Sequence, residues 1–229
     1  MADRNMAALL TWSQLNDSAF PSGRFVHSNG LEAWLRHEVQ ATSDDISSLA
    51  WSFVAGSVAP VDGVACAHAW DSTSPAALVE LDNLVSTHKM SSSARKASTS
   101  CGTQLAVTAT AVIDDLRHSP FLVDVIAQRS PGNASVVEGH LQRQIGVAKL
   151  AAVSGHLQSS LAGFLSAAVR LGRVGPIWVQ REIHTRREAL LQLAVDAIES
   201  ATEDMHNAAP ELEVYAMIHE TSSSRQFTT

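Results

Sequence analysis

The chain has 229 residues, of which 45% are hydrophobic and 17% charged, the balance of a folded globular protein and not of a disordered one. At ~100–200 residues per domain that is one domain or two small ones, long enough to bury roughly 70% of its unfolded surface without a staple. Lys and Arg number 16 against 23 Asp and Glu, a net charge of −7 that argues against nucleic-acid or anionic-membrane binding.

The opening segment, MADRNMAALLTWSQLND, carries a short apolar run from Met6 to Leu10. A signal peptide needs ~7–15 apolar residues and a membrane span about 18. Cys66 and Cys101 are too few for a disulfide framework and suit a reducing compartment, so a cytoplasmic location is expected.

Helical spacing then recurs along the chain, and alternating strand patterns with hairpin turns do not. Asn29-Gly30 precedes a helical pattern. Ser43 with Asp44 and Asp45 reads as a cap and acidic first turn, Ile46, Leu49, Ala50, Phe53 and Val54 share a face, and Pro60 is expected to close the segment. Asp62-Gly63 is expected between helices. Pro75 opens the next helix, with Leu78, Leu81, Leu84 and Val85 on one side. Ser119-Pro120 places proline at the first helical position of a segment running to Arg129. Ser130-Pro131-Gly132-Asn133 is a turn before another helix.

The segment from Val147 to Leu171 carries large apolar residues at Leu150, Val153, Leu157, Leu161, Phe164, Leu165 and Leu171. A second stripe, Ala151, Gly155, Ser159, Gly163 and Ala167, repeats every four residues, and small residues at that spacing let another backbone approach. Lys149, His156 and Arg170 interrupt the apolar run, so it reads as a central core helix buried on both faces. Gly172 to Pro176 reads as a hinge or kink. Trp178 to Met205 is expected to be one further helix, Leu212 to Ile218 the last, and Thr221 to Thr229 a polar tail that is mobile unless held. Residues 1–8 are expected to be mobile as well. The expected fold is a single all-α domain, a helical bundle around a buried central helix.

Chemistry-bearing motifs are sparse. There are ten histidines, yet neither His37-Glu38 nor His219-Glu220 continues into HExxH, and no CxxC pair exists. GxxxxGK[ST], GxGxxG and GxSxG patterns are also missing, so no catalytic, cofactor-binding or metal-binding residues are assigned. The unusual features are polar ones. The loop from Phe20 to Glu32 combines two glycines, two phenylalanines and several hydrogen-bonding side chains, a composition suited to a pinned loop or a partner surface. Arg170, Arg173, Arg181, Arg186 and Arg187 form a basic stretch broken by Glu182, whereas Glu188 to Glu220 holds eight acids and no Lys or Arg.

Four blocks in order resemble the UreF family of urease accessory proteins. The first, an L-x-D-S-x-x-P-x-G-x-F-x-H-S-x-G-L-E pattern, runs from Leu15 through Asp17-Ser18, Pro21, Gly23, Phe25, His27-Ser28 and Gly30-Leu31-Glu32. The second is Ala94-Arg95-Lys96-Ala97-Ser98 with Gly102 and Leu105. The third is Val136-Val137 and Gly139, followed by Ser166 to Gly172. The fourth is Met217, His219-Glu220 and Ser224-Arg225-x-Phe227. The chain departs from the family pattern at Arg24, where glycine is common, at Asn29, Ser93 and Arg173 to Pro176, and in its last residues.

The resemblance implies an all-α, non-catalytic homodimer that links UreD (UreH) to the GTPase UreG and assists nickel insertion into apo-urease. It implies no tightly bound cofactor, with nickel passing through the complex, and no nucleic acid or membrane as partner. Phe25, His27, Ser28, Asn29, Glu32, Arg170, His219, Glu220, Arg225 and Phe227 are then the expected partner-binding residues, with the tail ordering on contact. In a nickel passage the stripe beside His156 would form a wall; the residues by themselves read as close helix packing. A metal-dependent helical hydrolase and a generic helical adaptor without the urease role are the alternatives.

Overall fold

The computed structural model describes residues 2–17 and 19–228, without the side chains of residues 2–5; Ser18, one position of the first block, lies outside them, as do Met1 and Thr229. Among the described residues there is no strand. The helices are α1 (Ala2–Asn16), α2 (Leu31–His37), α3 (Ser43–Phe53), α4 (Val64–Asp71), α5 (Pro75–His88) and α6 (Ser92–Val112) in the first half. The second half holds α7 (Pro120–Ile126), α8 (Ala134–Gln144), α9 (Lys149–Arg170), α10 (Pro176–Thr185), α11 (Arg187–Glu199) and α12 (Pro210–Glu220).

Local signals set several boundaries. Thr42 caps α3 in a capping box with Asp45, the Ser74 hydroxyl accepts from the Ala77 amide ahead of α5, and proline stands at the start of α5, α7, α10 and α12. Two expectations are corrected. Pro60 does not end a helix: residues Val54–Gly63 form a π-helical stretch that joins α3 to α4 without a break. Its wider turn accommodates a proline that lacks an amide donor, and the Gly56 carbonyl accepts from the Ala208 amide instead. The expected single helix from Trp178 to Met205 is two, because the chain turns at Arg186 and α11 stops at Glu199.

The run from Ser43 to Asp71 is long and apolar enough to cross a membrane, but 56% of its most apolar window is buried inside the fold. Its side chains pack toward α9, α11 and α8. α9 is the central helix, with Val153, Leu157, Leu161, Phe164 and Leu165 fully buried and Phe164 stacked on Phe53 at 5.2 Å. The expectation that both its faces are buried holds for the large residues from Val153 to Leu165 only, since Leu150 is exposed and Leu171 half-buried. Along the small stripe Ala167 is buried, whereas Ala151, Gly155, Ser159 and Gly163 are half-buried. α1 lies over the first part of that stripe. Ala8 packs with Val147 and Ala152, so the expected mobile N-terminus reaches a residue that is buried here.

Backbone proximity fixes the rest of the bundle. A Cβ on Gly139 of α8 would stand 2.2 Å from the Cys66 carbonyl of α4, and one on Gly102 of α6 would stand 2.1 Å from the Gly132 carbonyl. Asp82 is fully buried and gathers Ser130, the Gly132 and Asn133 amides and the Asn133 side chain, fixing the turn before α8. Gly139→Ala is expected to cost about 2–3 kcal/mol, lowering the melting temperature by roughly 5–10 °C in calorimetry. Gly163→Ala, whose Cβ meets nothing within 4 Å inside α9, is expected to raise it by roughly 1–4 °C, because glycine in a helix interior costs about 0.5–1 kcal/mol relative to alanine.

Candidate partner-binding site

The loop from Phe20 to Glu32 contains three left-handed residues, Gly23, Asn29 and Gly30, and the last two set its exit into α2. Asn29 has φ 52° and Gly30 φ 84°, and a Cβ on Gly30 would lie 2.6 Å from the Leu212 carbonyl. Glycine at position 30 therefore lets α12 lie directly on the start of α2. That placement brings Glu32, in the first turn of α2, beside His219, in the last turn of α12.

Glu32 is only 3% exposed. Its carboxylate accepts from His219 Nε2 at 2.9 Å, Arg36 at 2.5 Å, the Gln226 amide at 2.9 Å and the Phe227 amide at 3.0 Å. Burial by itself would push this acid up. The Gln226 amide, His219, the Phe227 amide and the Arg36 charge outweigh burial and hold it below its ordinary range, so it stays ionised.

The tail is thus clasped by its backbone. The Thr228 amide donates to the Val26 carbonyl at 2.8 Å, and Arg36 donates to the Ser224 carbonyl. Phe227 is buried, with the Arg170 guanidinium 4.4 Å above its ring, and the same guanidinium lies 5.8 Å from the Phe25 ring and donates to the Phe25 carbonyl. Glu220 faces the start of α6, accepting from the Ser92 and Ser93 hydroxyls and the Ser93 amide. A carboxylate at a helix N-terminus complements the macrodipole, and these bonds lower its pKa.

All ten residues singled out in the sequence fall in this region, but they divide into two sets. Phe25, Arg170, Glu220 and Arg225 are exposed and Asn29 is half-buried. His27, Ser28, Glu32, His219 and Phe227 are buried, with His27 beside the Ser100 hydroxyl, and offer little surface to a partner in this conformation. They hold the others in place. The tail, expected to order on contact, is already packed through residue 228.

Sequence reasoning missed a second polar group. Glu138 on α8 is buried between Arg24, with which it forms an ion pair, and His156, whose Nδ1 lies 2.9 Å away. Burial opposes its charge, yet Arg24 and His156 bring its pKa down to about 2. Arg24, one of the departures from the family pattern, directs its guanidinium inward to this carboxylate. Nothing in local spacing links residues 24, 138 and 156. The small stripe is explained in part: the Trp12 ring fills the space over Gly155, where a Cβ would come within 2.8 Å. Beyond it, a groove of about 250 Å³ runs over Ser159, Gly163 and Ser166 between Trp12 and Phe25.

Among the described residues no group of three or more His, Cys, Asp or Glu side chains is arranged to hold a metal ion. The molecule is an all-helical protein organised around a clasped tail and loop. A family model described as UreF matches residues 41–186. The chain is 28% identical over 230 residues to the urease accessory protein UreF of Bacillus sp. (strain TB-90), spanning 97% of this chain and 99% of that one. It is 28% identical to the protein of the same name from Arthrobacter sp. (strain FB24) and 26% identical to that of Corynebacterium efficiens, over 95% and 99% of this chain and 96% and 99% of those relatives. The chain belongs to the UreF family. The family model's match omits both the loop and the tail.

Glu32→Gln removes the ionised acceptor. Losing charge-assisted hydrogen bonds of about 1.5–3 kcal/mol is expected to speed hydrogen exchange at the Gln226 and Phe227 amides roughly 10- to 100-fold. Because the folded pKa of Glu32 is depressed, the clasp is complete above the ordinary value of 4.5. The unaltered protein is expected to lose the same protection as pH falls below that value through the depressed pKa.

Proposed function

We propose that the chain serves urease maturation as an accessory scaffold that links UreD (UreH) to the GTPase UreG during nickel insertion into apo-urease. It acts as a homodimer in the cytoplasm, without catalysis or a tightly bound cofactor of its own, and with neither nucleic acid nor membrane as partner. Family membership supports the urease role. The observation that carries the scaffold reading is the clasp at Glu32, which ties loop, α9 and tail into one face bearing Phe25, Arg170 and Arg225.

A scaffold alters a GTPase only by binding its states unequally, so a preformed face is worth more than a floppy one: less ordering is lost on contact. Arg225 offers charge-assisted hydrogen bonds to a partner, and Phe227 keeps it in position. Co-purification with UreD and UreG, read by size exclusion with light scattering, is expected to give a complex holding two copies of the chain. Deleting residues 221–229, or changing Arg225 and Phe227 together to alanine, is expected to abolish it; unchanged UreD binding by the double variant would remove the tail from the interface.

The small stripe reads as a seat for α1 at Gly155. Gly155→Leu is expected to lower thermal stability by displacing Trp12. Normal stability and assembly with urease activation abolished would instead mark the stripe as a nickel passage.

A further inference from the structure

The groove between Trp12 and Phe25 is floored by Ala162, Gly163 and Ser166 of α9 and ends at Arg170. Gly163 has no packing role within it. The other glycines inside helical segments each face a neighbour: a Cβ on Gly56, Gly63, Gly102, Gly139 or Gly155 would lie 3.1 Å or less from the nearest atom. One on Gly163 would meet nothing within 4 Å. Glycine in a helix interior is unfavourable, and no close approach among the described residues offsets that here. What the missing side chain provides is room on the outer surface of α9.

Arg170 supplies an independent observation. Its Nε donates to the Ser166 carbonyl at 3.4 Å, so the side chain folds back along α9 and its charge stands about one turn from Gly163. Its other contacts are the Phe25 carbonyl and the Phe25 and Phe227 rings, and among the described residues no carboxylate pairs with it. The acid on the groove's rim, Asp17, accepts from the Ala19 amide. A mostly apolar slot beside a cation without a counter-ion is complementary to an apolar side chain and a carboxylate on one segment. We propose that the groove is the seat for UreD: a helical segment of that partner sets a large apolar side chain over Gly163 and a carboxylate, one turn along, against Arg170. Phe25 and Arg170 belong to groove and clasped face alike, so the seat is continuous with the surface proposed above to meet UreD. The groove is open in the unbound chain and needs no movement of loop or tail. This inference rests on the scaffold reading and adds to it the pocket and the chemistry of what enters.

Filling the groove separates binding from folding. Gly163→Leu has space for its side chain, so its melting temperature is expected to match or exceed that of the unaltered chain. Its affinity for UreD, titrated by calorimetry with the full-length chain, is expected to fall at least about tenfold, and to fall less in Gly163→Ala. Should Gly163→Leu fold poorly, Ala162→Leu, on the same floor, carries the same expectation; destabilisation by both overturns the inference, because the groove would then be filled from within. Arg170→Gln is expected to weaken UreD binding about tenfold and to flatten its salt dependence, with hydrogen exchange at the Phe227 amide reporting that the clasp persists. Native UreD affinity in folded Gly163→Leu overturns the seat while the scaffold reading stands. Loss of self-association in that variant, with UreD binding kept, overturns UreD as the occupant in favour of a second copy of the chain. Unchanged salt dependence in Arg170→Gln overturns the carboxylate. Failure of the unaltered chain to bind UreD ends the scaffold reading and the seat together.

Discussion

A carboxylate cannot be buried without donors, and at Glu32 the donors come from almost the whole length of the chain. Arg36 is one turn away, but His219 and the Gln226 and Phe227 amides arrive from the far terminus. Satisfying one ion therefore decides where α12 lies, where the tail runs and which side chains are left facing outward. An isolated buried charge would cost several kcal/mol, so the fold accepts the charge only with all of these partners present. Backbone amides are the telling part. They recognise the tail by its path, so the clasp itself places little demand on the Gln226 side chain, and the tail's outward residues are released to serve another surface.

The helical class and much of the element order were legible because capping residues, prolines at helix starts and apolar spacing are local signals. Ser74-Pro75, Ser119-Pro120 and the α9 periodicity needed no tertiary information. Pro60 was misleading because its rule concerns the α-helical ladder, and a π-helical stretch relaxes the clash that the rule assumes. The break at Arg186 lacks glycine or proline and follows from packing of α10 and α11 on α9, which no local pattern encodes.

The site was half legible. The residues of the loop and tail were picked out as odd polar groups, and the structure gathers them into one region. What the sequence could not distinguish was a polar residue awaiting a partner from one already satisfied within the chain. Glu32 and His219 look like ligands in a linear reading and are internal donors and acceptors in three dimensions. The same limit hid Arg24: a cation in a loop next to phenylalanine reads as surface, whereas its counter-ion sits on a helix more than a hundred residues on.

The closeness of Thr228 to Val26 has a practical side. Whatever is joined behind residue 228 must leave the molecule beside Arg170 and the 24–26 turn, on the face that the clasp presents. A purification handle or fluorescent fusion placed there would sit over that face and bias any assay of association toward failure. The opposite terminus avoids that turn: the first helix is seated through Ala8 and Trp12 on the early part of α9. For this chain the end chosen for a label is a choice about which surface remains free.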